Sequence, residues 1–294
     1  GGNNVNGQTT TSFVEVTGGN STYVFGGGYQ ATTPTTNVYI KTGGTVGEGY
    51  GGGNAASVTT SHITLEGGSA GDIYGGSKSS GIVNTSYVTI SSGTVTDVYG
   101  GNNIGGNTVN THVTVTSRAN DVYGGGKDAQ TTGDTDVLIS NTQVANVFGG
   151  GNNAITSGNT NLRLTDATVT GDAYGGGNGY RAVVIGDSTT KVEGSTTING
   201  DLFGGGNAAA NGTEATKTSN PSTVTTYITG GTILGDVYGA ANTSVVYGNT
   251  IVKIGSNVVN DNTMAKGSIQ IGDDTDLDPT TNLPKKGTVF GGGK

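Results

Sequence analysis

Apolar residues in this chain return in pairs two positions apart. The runs "NVYIK" from Asn37, "HITLE" from His62, "YVTIS" from Tyr87, "HVTVT" from His112, "DVLIS" from Asp136 and "NLRLT" from Asn161 place aliphatic side chains at alternate positions, with polar or variable ones between. This is the period of a half-buried strand. Between these runs lies a second signal, an aromatic residue followed by small ones, as in "GYGGGN", "DVYGGN", "DVYGGGK", "NVFGGG" and "DLFGGG". The aromatics are Phe25, Tyr50, Tyr74, Tyr99, Tyr123, Phe148, Tyr174, Phe203, Tyr238 and Phe290, and the first seven are spaced by 25, 24, 25, 24, 25 and 26 residues. Later intervals lengthen to 29, 35 and 52 residues, which places insertions at about 208–222 and 273–286. No window keeps a helical period over three turns.

A period of 20 to 50 residues marks a solenoid, propeller or array, and a propeller blade needs ~40 to 50. A unit of 24–26 residues with two or three short strands instead fits one coil of a parallel β-helix. The chain is therefore expected to be all-β, a single β-solenoid over 1–294 of roughly ten coils, regular over about 25–203. At ~4.8 Å per coil the rod would be roughly 45 Å long. The inward column is read as Val38/Ile40, Ile63/Leu65, Val88/Ile90, Val113/Val115, Val137/Ile139 and Leu162/Leu164. The aromatics make a second column whose orientation the sequence leaves open, although Phe at four of the motifs favours at least partial burial. Glycines after the aromatic are expected at sharp corners, where positive φ is needed. Asn54, Asn102, Asn152, Asn178 and Asn207, with Lys127 and Lys294 in equivalent places, are expected to form a turn ladder bonded from coil to coil.

Composition narrows this reading. Glycine supplies 58 of the 294 residues, apolar residues 31% and charged residues 12%, which excludes a core flanked by salt-bridged helices. Disorder is the competing class, but disordered chains have no reason to hold aliphatic and aromatic residues at fixed phase. The net charge is −8 with only 13 basic residues, all dispersed, which argues against a nucleic-acid partner. Without cysteine there is no disulfide framework, thiolate metal site or cysteine nucleophile. No apolar run approaches the ~18 residues of a membrane helix. No signal peptide opens the chain, so export would require a signal already removed or lying outside it. The opening "GGNNVNG" matches the second half of a motif and the last residues "TVFGGGK" the first part of another. This predicts either a piece of a longer array or a rod that joins itself head to tail.

The pattern "VYGGGN…T-x-V-x-I-x-G-G-T", from about Phe25 to Tyr238, resembles repeats in large bacterial surface proteins of the right-handed parallel β-helix class, akin to adhesins and autotransporter passengers. The resemblance implies a right-handed coil, an extracellular or cell-surface location, and a role as stalk, fibre, filament or adhesin. Its implied partners are other copies or the rest of a longer chain, and a glycan or other cell-surface ligand. It says little about activity, because the class hosts fibres, polysaccharide lyases and hydrolases alike.

Candidate chemistry is sparse. "DVYGGGK" is not a phosphate loop, since Lys127 is followed by Asp128 and no helix follows. Two residues before the aromatic runs a column of Glu48, Asp72, Asp97, Asp121, Asn146, Asp172, Asp201 and Asp236. Carboxylates stacked at this spacing repel by roughly 1 kcal/mol even in water. Either each accepts backbone N–H bonds in an Asx-type turn, or Ca2+ binds between coils through their oxygens. In "DDTDLDP", Asp274, Asp276 and Asp278 alternate like the start of a calcium loop. Pro279 then stands where the turn glycine belongs and Lys285 where the bidentate Glu belongs, which favours a solvated acidic insertion. His62 and His112 share a column with Asn37, Tyr87, Asp136 and Asn161, and read as exposed strand residues rather than general bases. The outward column Tyr39, Thr64, Thr89, Thr114, Leu138 and Arg163 is too broken for an ice lattice. An enzyme is not expected. A polysaccharide-cleaving site would draw on Glu214 with Lys217, or Asp187 with Arg181, on the insertions, and no catalytic residue is singled out. The alternative to a structural role is a carbohydrate-binding or carbohydrate-active β-helix module, with Ca2+ as its one candidate cofactor.

Overall fold

A computed structural model describes residues 1–255, 265, 267–273, 275–281 and 285–294, and shows a parallel β-solenoid without an α-helix among them. Every strand pairing is parallel and joins a segment to its counterpart one coil on, as in Val38 with Ile63, Ile63 with Val88 and Val88 with Val113. Three faces carry strands. The first holds the alternating runs, for example Thr33–Lys41, Asn107–Val115, Thr135–Ser140 and Thr160–Thr165. The second is short, as at Gln143–Val144, Thr168–Val169 and Thr197–Ile198. The third carries the aromatics, as at Asp121–Tyr123 and Asn146–Phe148. In two coils a single long strand, Val58–Tyr74 or Ile82–Tyr99, covers all three.

The aliphatic pairs read from the sequence, Val38/Ile40 through Leu162/Leu164, are buried in one continuous core. The second face adds Val144, Val169, Ile198 and Ile233, and the third adds Ile73, Val98, Val122 and Val147. The rings from Tyr50 to Tyr238 form a separate buried cluster, with Phe25 half-buried against it and Phe290 exposed. Successive side chains on a strand point to opposite sides. The residue before the aromatic therefore enters the aliphatic core in most coils, from Val24 through Ile73 and Val122 to Val237, and the ring lies on the other side of the strand. This decides the orientation left open by the sequence.

The glycines after the aromatic do not serve as expected. Gly100 and Gly124 are not among the residues with positive φ. A Cβ on Gly100 would stand 2.0 Å from the Gly124 carbonyl oxygen, and one on Gly124 would stand 2.1 Å from that of Gly149. Close approach of successive coils excludes a side chain here. The left-handed corner lies after the first face instead, at Gly67 (φ 109°), Gly93 (97°), Asn141 (53°) and Asp166 (52°).

The described residues flanking the excess chain keep the coil register. Asn211 keeps its bridges to Val184 and Val246, so the first insertion is confined to the stretch before the strand Ser222–Ile228. Gly272 and Gly287 lie against each other, so the coil resumes at Gly287 beside the point it had reached at Gly272. Gly255 and Gly267 donate to the carbonyls of Ile228 and Thr229, adjacent residues of the coil before, which marks a further excess of chain that the sequence reading had not separated.

Candidate functional site

The repeating feature with the most chemistry is the aromatic column and its polar edge. The ten rings from Phe25 to Phe290 pair in register, with centroids 4.8–4.9 Å apart and planes inclined by 3–14°. That is offset stacking, worth about 0.5–1.5 kcal/mol per pair beyond area burial. Nine steps give a column about 44 Å long.

The residue two before each aromatic lies on the same side of the strand as the ring, which explains the D-x-Y spacing. The hydroxyls of Tyr74, Tyr99, Tyr123, Tyr174 and Tyr238 donate to Oδ2 of Asp72 (3.0 Å), Asp97 (3.5 Å), Asp121 (3.4 Å), Asp172 (2.9 Å) and Asp236 (3.3 Å), and Tyr50 donates to Glu48. Burial, reinforced by the neighbouring carboxylates, pushes the phenols of Tyr50, Tyr74, Tyr99, Tyr123 and Tyr174 far above their ordinary range. They are neutral donors at any physiological pH.

The other carboxylate oxygen bonds along the rod. Asp97 Oδ1 accepts the N–H of Asp121 (3.2 Å), Asp121 Oδ1 that of Asn146 (3.2 Å), Asp172 Oδ1 that of Asp201 (2.7 Å), and Asp201 Oδ1 that of Asp236 (2.9 Å). These bonds run to the next coil rather than closing an Asx turn within one, and each offsets repulsion in the column. At Asp236, desolvation is outweighed by the N–H groups of Thr288 and Gly287, the Tyr238 hydroxyl and Lys286, and its carboxyl is held below the usual range. In the acidic loop Asp274 lies outside the described residues, Asp276 pairs with Lys285 (2.6 Å), and Asp278 accepts the N–H groups of Thr280 and Thr281 (both 2.8 Å). Among the described residues no three His, Cys, Asp or Glu side chains converge as a metal site would require.

The Asn ladder exists with a corrected register. Asn178 Nδ2 donates to Asn152 Oδ1 (3.1 Å), Asn207 to Asn178 (3.0 Å) and Asn242 to Asn207 (3.1 Å). The column is the fourth residue after the aromatic, so Asn54, Lys78, Asn103, Lys127, Asn242 and Lys294 belong to it, and Asn102 does not. Asn102 stands where most coils carry a third glycine. It is wholly buried, with Oδ1 accepting from the Ser77 N–H (2.7 Å) and the Thr108 hydroxyl (3.0 Å). Ladder residues also reach back two coils: Asn103 Nδ2 donates to the Tyr50 hydroxyl (2.8 Å), Lys127 Nζ to Asp72 (3.3 Å) and the Tyr74 hydroxyl (3.2 Å), and Lys294 Nζ to Asp201 (3.0 Å).

A second ladder escaped the sequence reading. The hydroxyl two residues before the first inward aliphatic, in Thr36, Ser61, Ser86, Thr111, Thr135 and Thr160, is buried and donates to the carbonyl of the glycine that follows the aromatic, at 2.5–2.6 Å. Its signal was the recurrent [ST]-x-[VIL]-x-[VIL].

On the outer side of the first face His62, Tyr87 and His112 stack at 4.9 Å, and His112 Nδ1 meets Asp136 Oδ2 at 3.1 Å. A shallow groove there is lined by His112, Asp136, Asn161, Arg163 and Lys191. On the insertions Glu214 pairs only locally with Lys217, and Asp187 Oδ1 accepts the Thr223 N–H at 2.7 Å. Among the described residues no helix is long and apolar enough to cross a membrane. Comparison with known protein families, curated proteins and solved structures finds no match for the chain.

Proposed function

We propose that this chain is the shaft of an extracellular repeat protein on a bacterial surface, a stalk, fibre or adhesin rod, continued by further coils of a longer chain or by other copies. The observation that carries the reading is recurrence: the same ring stack, Tyr–Asp bond and inter-coil N–H bond return in successive coils. An axial load passes through every inter-coil interface in turn, and within each interface it is divided among the backbone hydrogen bonds and ring contacts that recur there. The location rests on the resemblance of the repeats. The test is immunoelectron microscopy of intact producing cells with an antibody to the exposed 213–220 turn. Label on projections outside the cell supports the proposal, and label seen only after permeabilisation overturns it.

A second reading, glycan binding on the first face, is favoured by the groove at His112, Asp136, Asn161, Arg163 and Lys191. Against it, His62, Tyr87 and His112 cover one another's ring faces, and those faces are what a sugar would stack on. Retention on a glycan array that is lost in His112→Ala would support this reading over a purely structural one.

A further inference from the structure

We propose that the tyrosine block Tyr50–Tyr74–Tyr99–Tyr123 is a one-electron relay, passing an oxidising equivalent along the rod by coupled movement of an electron and a proton. Three observations carry it. The four phenols are consecutive in the column, with centroids 4.9 Å apart and planes within 8°. That is direct contact between π systems, the condition for rapid electron exchange. The rings are almost wholly excluded from water, so a radical formed on them is shielded from solvent quenching. Each hydroxyl already donates to a carboxylate, Glu48, Asp72, Asp97 or Asp121, and so has a proton acceptor in place.

In the first step a high-potential one-electron oxidant, of the ferryl-haem or metal(III) class, takes one electron from a phenol, and the phenolic proton moves to the adjacent Asp or Glu oxygen. The products are a neutral tyrosyl radical, a carboxylic acid and the oxidant reduced by one electron. In the second step the next tyrosine gives its electron to that radical and its proton to its own carboxylate, while the first proton returns to the first phenolate. Each ring stays neutral while its carboxylate is neutralised, so one positive charge travels with the radical, and Lys127, bonded to Asp72 at 3.3 Å and to the Tyr74 hydroxyl at 3.2 Å, makes Tyr74 the costliest station of the block. Phe148 ends the block, because a benzene ring has neither an accessible potential nor a proton to give. Tyr174 lies beyond it, across two ring steps.

The chain contains no cysteine, so Ser79→Cys, exposed and on the coil of Tyr74, takes a ruthenium polypyridyl photo-oxidant at one place. Tyr123 is replaced by 3-aminotyrosine, which traps the equivalent as a lower-energy radical with its own spectrum. Flash oxidation is expected to yield the aminotyrosyl radical at position 123, and Tyr99→Phe is expected to lower that yield at least tenfold. Phe occupies this column elsewhere, so the variant is compatible with the fold, and an unchanged circular dichroism spectrum verifies it. Equal yields with and without Tyr99→Phe, or no radical at position 123 in either chain, overturn the relay.

Discussion

At the scale of the residue, the tight places are where one coil meets the next. Gly100→Ala sets a Cβ against the Gly124 carbonyl and is expected to cost more than about 3 kcal/mol. Gly18→Ala, with no atom within 4 Å, should stay within about 0.5 kcal/mol, and chemical denaturation of the pair checks the contrast. Ala208 and Thr243 hold φ of 51° and 55°, a conformation that costs non-glycine residues about 1–2 kcal/mol. Ala208→Gly is therefore expected to raise the denaturation midpoint. Protonation acts through the carboxylates. Asp166 is held low by the backbone N–H and then the hydroxyl of Ser195, and Asp236 is held low as described above. A group whose pKa is depressed by folding contributes stability that is present above its unfolded pKa of about 3.9 and lost as pH falls through the folded one. Thermal melting should be insensitive to these groups between pH 8 and 5 and should decline below about pH 4. A decline already complete at pH 5 would contradict this.

At the scale of the element, the third-face strand is two-sided, with an aliphatic core on one side and a phenol column on the other. Tyr99→Phe removes one hydroxyl while Asp97 keeps the N–H of Asp121 and the side chain of Asn120, so a loss of about 1 kcal/mol is expected. Tyr99→Ala should cost about 3–5 kcal/mol. The first face was legible in the sequence because alternation at a fixed phase has few other causes. Val38 through Leu164 needed only the assumption that like stacks on like. The glycine motif was legible as an architectural period but not in its purpose, because the obstacle to a side chain at Gly100 is an atom 24 residues away. The Asn ladder was misplaced at Asn102 because Ser77 and Asn102 fill a glycine position there and shift the apparent count by one. The hydroxyl ladder was passed over because Thr and Ser are ordinary in strands, and only the Gly149 carbonyl beside Thr135 distinguishes them.

At the scale of the whole molecule, stability is a sum of near-neighbour terms, as in other stacked repeats. The carboxylate column is held by N–H groups and phenols, and a chelator is expected to leave the melting midpoint unchanged. A fall on chelation would favour the cation reading instead. The two-coil reach of Asn103 and Lys127 carries contacts past the adjacent coil, yet the partner met after removing a coil has the same chemistry. Deleting residues 75–99 would bring Lys127 to Glu48 and Tyr50 in place of Asp72 and Tyr74. The shortened chain is expected to fold and to lose about 4.9 Å of length by small-angle scattering. Rod length is then a heritable count, altered in whole steps by duplication or loss of about 25 residues. What the column supplies in that case is a ruler, fixing how far whatever lies at one end is held from whatever lies at the other.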